Sequence, residues 1–134
     1  MGARAERLKT RFENATPILN VRDMSASLKY YIDVLGFRKA DWGSADFTQV
    51  GRDNAGIYLC RAGQGQPGTW VWIGVEDVAA LHEEYKASGA RIVGNLRNYP
   101  WAYEMQVQDP DGHVLRFGSE PRKDMPFSNE RVQP

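Results

Sequence analysis

Cysteine is almost missing from this chain. Cys60 stands alone among 134 residues, which excludes an internal disulfide framework and a thiolate metal cluster and agrees with a reducing, cytoplasmic compartment. Neither sign of charge is in excess. Seventeen Lys and Arg balance seventeen Asp and Glu, so no strongly basic face is implied and nucleic acid is not an expected partner. No apolar run approaches the length that crosses a bilayer, and the opening Met1-Gly2-Ala3-Arg4-Ala5-Glu6-Arg7 has no apolar core of the secretory kind. Neither a membrane nor an export signal is expected. A phosphate loop is missing too: Gly63-Gln64-Gly65-Gln66-Pro67-Gly68 leads into a strand, whereas a phosphate cradle leads into a helix. No Ser-His-Asp or Cys-His set is suggested, and Cys60 has no base that the sequence positions.

What is present is one domain's worth of apolar material, 42% of the residues, enough for a core without staples. The most informative stretch is Asp109-Pro110-Asp111-Gly112-His113. Pro110 presets φ and Gly112 accepts a positive one, so a type I turn closed by a left-handed glycine is expected between two antiparallel strands, about 103–108 and 114–117. Upstream, Pro17–Val21 reads as a strand. Asp23 caps a helix with Leu28, Tyr31, Ile32 and Leu35 at helical spacing, which Gly36 ends. Phe37–Asp41 enters a second strand, and Phe47–Val50 and Ile57–Cys60 form a hairpin. After the Gly- and Pro-rich stretch 61–69 the pattern returns: strand Trp70–Val75, cap Asp77, a helix carrying Leu81 and Tyr85, closing Gly89, strand Arg91–Val93. Val21-Arg22-Asp23-Met24 matches Val75-Glu76-Asp77-Val78 at an offset of 54. A βαβββ unit therefore occurs twice. The expected organisation is an arm at 1–14, one domain at 15–118 made of modules at about 15–62 and 68–118, and a polar tail at 119–134. The arm reads as a short helix or frayed segment, and the tail as an extended strap laid on a partner subunit.

Strand alternation then sorts the faces. Leu19, Val21, Val71, Ile73, Val75, Met105, Val107, Leu115 and Phe117 take the helix-covered side. Trp70, Trp72, Glu104, Gln106 and Arg116 share the other. Plain solvent exposure accounts for the charges but not for two indoles, and paired exposed Trp mark a pocket or an interface. Glu104 and Arg116 stand close enough in this reading to pair. His82 lies on the second helix, at the surface or half-buried, and His113 in the turn, where exposure is the default.

In order and spacing, Thr16-Pro17-Ile18-Leu19-Asn20-Val21-Arg22-Asp23, Tyr30-Tyr31-Ile32-Asp33-Val34-Leu35-Gly36-Phe37, Val75-Glu76-Asp77-Val78 and Asp109-Pro110-Asp111-Gly112-His113 resemble the vicinal oxygen chelate superfamily of glyoxalases, ring-cleaving dioxygenases and bleomycin-resistance proteins. The resemblance spans roughly 15–118. It implies an α+β fold of two paired βαβββ modules forming a cupped mixed sheet, and commonly a homodimer. It also implies three metal-ligand positions, which here are Thr16, Trp70 and Arg116; none of these suits a divalent cation. No metal and no other cofactor is therefore expected, and the metal-free, bleomycin-resistance-like branch is the nearest match.

Two functions follow. The first is sequestration of a planar or aromatic small molecule, an antibiotic of the bleomycin kind among the candidates. Trp70, Trp72 and Trp101 would stack on it, Tyr58 and Tyr103 would form the rim, and Glu104 and Arg116 would orient polar groups. The segment Pro100-Trp101-Ala102-Tyr103-Glu104 resembles the corresponding part of bleomycin-resistance proteins. The alternative is a lyase, isomerase or dioxygenase of the same superfamily, with metal from unexpected residues or with Glu104 as a base. A third reading leaves the indoles as interface residues with no ligand. The residues favour binding over catalysis without deciding between them.

Overall fold

The structure is a computed structural model that describes residues 9–129. The expected arm and tail therefore lie partly outside the described residues. Residues 9–17 carry no helix.

Strand β1 (Ile18–Asn20) leads to helix α1 (Met24–Lys29). The Asp23 carboxylate accepts from the Ala26 amide at 3.1 Å, satisfying one of the unpaired donors of the first turn. The helix does not stay α-helical to Leu35. Residues Tyr30–Val34 form a π turn, with the Leu35 amide donating to the Tyr30 carbonyl at 3.0 Å. That wider turn rotates the following residues. Ile32 swings out to 37% exposure while Tyr31 and Leu35 stay buried, which corrects the expectation that all three share the inner face. Strands β2 (Arg38–Gly43), β3 (Phe47–Arg52) and β4 (Ala55–Cys60) complete the first module.

The second module repeats the plan with β5 (Trp70–Gly74), α2 (Val78–Ser88), β6 (Arg91–Asn98), β7 (Tyr103–Gln108) and β8 (Val114–Ser119). The Asp77 carboxylate caps α2 as Asp23 caps α1, accepting from Ala80 at 3.1 Å. Each module forms a four-stranded mixed sheet, in the orders β1-β4-β3-β2 and β5-β8-β7-β6. In each, the first strand is parallel to the last and the other pairs are antiparallel. The fold is α+β with two βαβββ modules, as the repeat implies. No described helix is long and apolar enough to cross a membrane.

The helix-covered faces of both sheets meet in one core. Leu19, Ile57 and Leu59 come from the first sheet and Met105, Val107, Leu115 and Phe117 from the second. Polar bonds stitch the seam. Tyr31 Oη donates to Asp109 Oδ2 at 2.9 Å, and its repeat partner Tyr85 donates to the Leu35 carbonyl at 2.7 Å. Tyr30 Oη donates to the Gln108 carbonyl and accepts from the Arg91 amide. Each module thus supplies a buried tyrosine to backbone or carboxylate of the other.

The turn at Asp109 takes the expected form. The Asp109 amide donates to the His113 carbonyl, the Gly112 amide donates to the Asp109 carbonyl, and Gly112 has φ +81°. Its environment is unexpected, because the turn is docked against the first module. Arg22 donates to Asp111 and to the Pro110 carbonyl. His113, expected at the surface, is fully buried. Its Nδ1 accepts from the Thr69 amide at 3.0 Å, so Nε2 carries the proton that the Asn20 carbonyl accepts at 2.6 Å. His82 is half-buried. The described tail is tied to its own sheet: Asn98 donates to the Arg122 and Met125 carbonyls, and the Ser128 amide donates to the Asn98 carbonyl.

Burial raises the Asp109 pKa. A carboxyl that is easier to protonate in the folded state stabilises the fold most below its unfolded pKa, and that contribution is lost as pH rises through the folded value. In Asp109→Asn the amide oxygen still accepts from the Asp111 and His113 amides. We therefore expect the variant to gain stability relative to the parent as pH rises out of the ordinary aspartate range, levelling off towards neutrality. Urea melts at pH 4 and pH 7 measure the difference.

Candidate functional site

The outer face of the second sheet is built around a buried ion pair. On β7, Glu104 alternates with Tyr103 and Met105 and so points away from the core; its side chain is 2% exposed. On β8, Arg116 also points outward. Arg116 donates from Nε to Glu104 Oε1 at 3.1 Å and from Nη2 to both carboxylate oxygens at 2.9 Å. The Trp101 indole donates to Oε2 at 2.5 Å. Both oxygens of the carboxylate are therefore engaged by protein donors. Several such bonds are what a buried carboxylate needs, since desolvation otherwise costs several kcal/mol.

The ion pair is flanked by indoles. Trp72 lies across from Arg116 in the parallel β5–β8 register, and the guanidinium carbon sits 5.3 Å from the Trp72 ring centre, within cation–π range. The Trp72 ring covers Gly118: a Cβ there would come within 2.3 Å of it, so a side chain at this position requires the ring to move. On the other flank, the β6–β7 hairpin turns sharply at Pro100-Trp101, closed by bonds between the Tyr99 and Ala102 backbones. Trp101 stacks on Tyr99 at 4.6 Å and 7°. Tyr99 is buried beneath it, while Trp101 is 58% exposed. The resulting surface is two half-open indoles, each backed by protein, on either side of a neutralised charge pair.

Of the seven residues singled out from the sequence, the structure brings four together here: Trp72, Trp101, Glu104 and Arg116. Trp70 is two residues before Trp72 on the same face of β5 and is 37% exposed. Tyr103 does not join them. It belongs to the core cluster, with Arg122 5.7 Å above its ring. Strand alternation from Glu104 forces this placement. Tyr58 lies on the other sheet, in a separate aromatic cluster with Phe47 at 5.2 Å and Trp42 at 6.0 Å. Trp42 is 44% exposed, so the first sheet carries an open aromatic wall of its own. The sequence reading passed over Trp42, Tyr99 and Gly118. The signals were a Trp and a Phe facing each other across the β2–β3 turn, and a Pro placed to fold Tyr99 back under Trp101.

The three positions where the resemblance implies metal ligands do not fit a cation. Thr16, Trp70 and Arg116 supply no charged donor, and the guanidinium of Arg116 fills the space beside the one nearby carboxylate. Among the described residues, no group of three His, Cys, Asp or Glu side chains is arranged to hold a metal.

A family model described as Glyoxalase/Bleomycin resistance protein/Dioxygenase superfamily matches residues 12–117. Among solved structures, the bleomycin-binding protein of bleomycin-producing Streptomyces verticillus, complexed with copper(II)-bleomycin, shares 28% identity at a TM-score of 0.72, over 85% of this chain and 100% of that one. TnmS3, an antibiotic binding protein from Streptomyces sp. CB03234, shares 20% identity at a TM-score of 0.71, over 85% and 100% of the two chains. A lactoylglutathione lyase from Agrobacterium tumefaciens shares 16% identity at a TM-score of 0.66, over 82% and 96%. The last two likenesses are of fold alone. A comparison with curated protein sequences finds no match.

Three variants test the geometry. Arg116→Met strands a buried carboxylate and is expected to cost about 3–5 kcal/mol, most of it recovered in the double variant Glu104→Leu/Arg116→Met; chemical denaturation measures both. Gly118→Ala is expected to lift the Trp72 ring off the sheet at a cost of about 1–3 kcal/mol, with a change in near-ultraviolet circular dichroism.

Proposed function

The chain belongs to the Glyoxalase/Bleomycin resistance protein/Dioxygenase superfamily, and from that premise we propose that it binds and sequesters a planar small molecule, an antibiotic of the bleomycin type foremost, without a metal of its own. One observation carries this reading: a tight Glu104–Arg116 pair lies between two open indoles, and Arg116 holds one of the three positions where the resemblance implies a metal ligand. Such a surface offers stacking faces at Trp72 and Trp101, with Trp70 beside them. The paired charges leave little net field, so recognition rests on shape and stacking more than on electrostatic steering. A base role for Glu104 has little support, because both its oxygens are already engaged.

The two aromatic walls lie on separate sheets, Trp42–Phe47–Tyr58 on one and Trp72–Trp101 on the other. In this reading, two copies of the chain pair so that the first wall of one faces the second wall of its partner, forming a cup that neither copy closes alone. Tyr58 then lines the site as the sequence analysis expects. The assembly is a cytoplasmic homodimer, and its ligand leaves unchanged.

Tryptophan fluorescence titration with copper(II)-bleomycin, metal-free bleomycin and an uncharged tricyclic aromatic tests the proposal. At least one is expected to quench saturably and to be recovered intact. Trp72→Ala is expected to weaken that binding about two- to tenfold, from the loss of stacking worth ~0.5–1.5 kcal/mol. Chemical conversion of the probe, or no saturable quenching by any of the three, would refute it.

A further inference from the structure

The outward face of the second sheet carries one polar group that the Glu104–Arg116 pair does not use. In register across the sheet, Val93, Gln106, Arg116 and Trp72 form one row. Gln106 therefore lies beside Arg116 and next but one to Trp72. Strand alternation from Glu104 puts its side chain on this face. The row is a trough: Trp72 and Val93 stand at its ends, 48% and 36% exposed, and Gln106 lies between them at 7%.

A carboxamide offers two donors and an acceptor oxygen with two lone pairs. Side chains as buried as this one normally find their partners within the fold. Among the described residues nothing bonds to the Gln106 side chain. Nor is it shut in, because neither of its polar atoms is sealed from solvent. Tyr99 makes the contrast: its hydroxyl is unpartnered and sealed, under Trp101. Gln106 is unpartnered and reachable, so its hydrogen-bonding capacity is left for whatever occupies the trough.

We infer that Gln106 selects the ligand: its carboxamide pairs with an amide edge, N–H and C=O side by side as in a lactam, on a planar ring system stacked against Trp72. Two strand spacings, roughly 9–10 Å, separate Trp72 from Gln106, and a fused aromatic plane spans that interval. A carboxamide can turn over about its last bond, so it meets the donor and acceptor in either order. A plane without such an edge would displace water from Gln106 and return no hydrogen bond, leaving a donor and an acceptor stranded. Stacking alone accepts any flat molecule, whereas a hydrogen-bonding group rejects the analogue that lacks its partner. The inference rests on the sequestration reading proposed above and adds the ligand chemistry that the site selects.

The test compares phenanthridinone, a planar lactam, with its N-methyl derivative, which keeps the rings and the carbonyl and loses the donor. Equilibrium dialysis against the full chain gives both dissociation constants. The parent is expected to bind the lactam about tenfold or more tighter than the N-methyl compound. Gln106→Met keeps the length of the side chain and removes both polar atoms. In that variant the lactam is expected to weaken until the two probes differ by less than about twofold, with the N-methyl compound little changed. A merely structural Gln106 would move the melting temperature and leave the ratio as it was. If Gln106→Met does not fold, Gln106→Ala is read in the same way, and the parent's own ratio still decides. Equal binding of the two probes to the parent, or a ratio that survives in the variant, would overturn the inference while the sequestration reading stands. If neither probe binds although copper(II)-bleomycin or metal-free bleomycin quenches saturably, this inference alone fails. If no probe of either kind binds, both fail.

Discussion

A carboxylate buried on the outward face of a sheet has to be compensated on the spot, and Glu104 dictates the site around it. Water is excluded from it, so each lone pair left without a donor would be charged against the fold. Arg116 supplies bidentate bonds from the neighbouring strand and the Trp101 indole supplies another. Those bonds fix the rotamers of both partners and thereby the pose of two large side chains. Arg116, held to Glu104, presents its guanidinium to Trp72. Trp101, held by its N–H, lies flat on Tyr99. The aromatic surface is pre-organised, so for the proposed ligand the entropy of ordering it would be spent in folding and not in binding.

A second buried carboxylate governs the relation between the modules. Asp109 accepts from Tyr31 of the first module while its other oxygen caps two amides of its own turn. The π turn makes this reach possible, because adjacent Tyr30 and Tyr31 then both address the second module. With Tyr85 returning a bond to Leu35, the seam is crossed in both directions. The helix-covered faces are committed to a shared core, and the opposite faces of the two sheets are left as the surfaces available for recognition.

Much of this is legible in the residues. The repeat at an offset of 54 locates both modules, and the caps at Asp23 and Asp77 follow from short-range hydrogen-bonding chemistry that tertiary context leaves alone. The faces of β5, β7 and β8 follow from a period of two, which is why Trp72, Glu104 and Arg116 are found together. What was not legible depends on contacts between distant segments. His113 reads as a turn residue, and its burial comes from Asn20 and Thr69, neither of them near it in sequence. Ile32 fits a 3.6-residue period, and the π turn that expels it has no simple sequence signature. Tyr103 shows a different limit. Its composition suits a pocket rim, yet its parity along β7 places it with Met105 in the core.

The fold itself is indifferent to the chemistry it carries: antibiotic-binding proteins and a glutathione-adduct lyase share its outline. The distinction lies in what occupies the outward faces of the strands. A catalytic metal needs several anionic or imidazole donors converging on an open coordination position. Here the place of one donor is taken by a cation, another by an indole, and the one carboxylate at hand is already spoken for. In the proposed reading, that arrangement serves as a neutral, hydrogen-bonded floor between aromatic planes. The free energy available on it is dispersion and desolvation, which discriminate by the shape and flatness of a ligand.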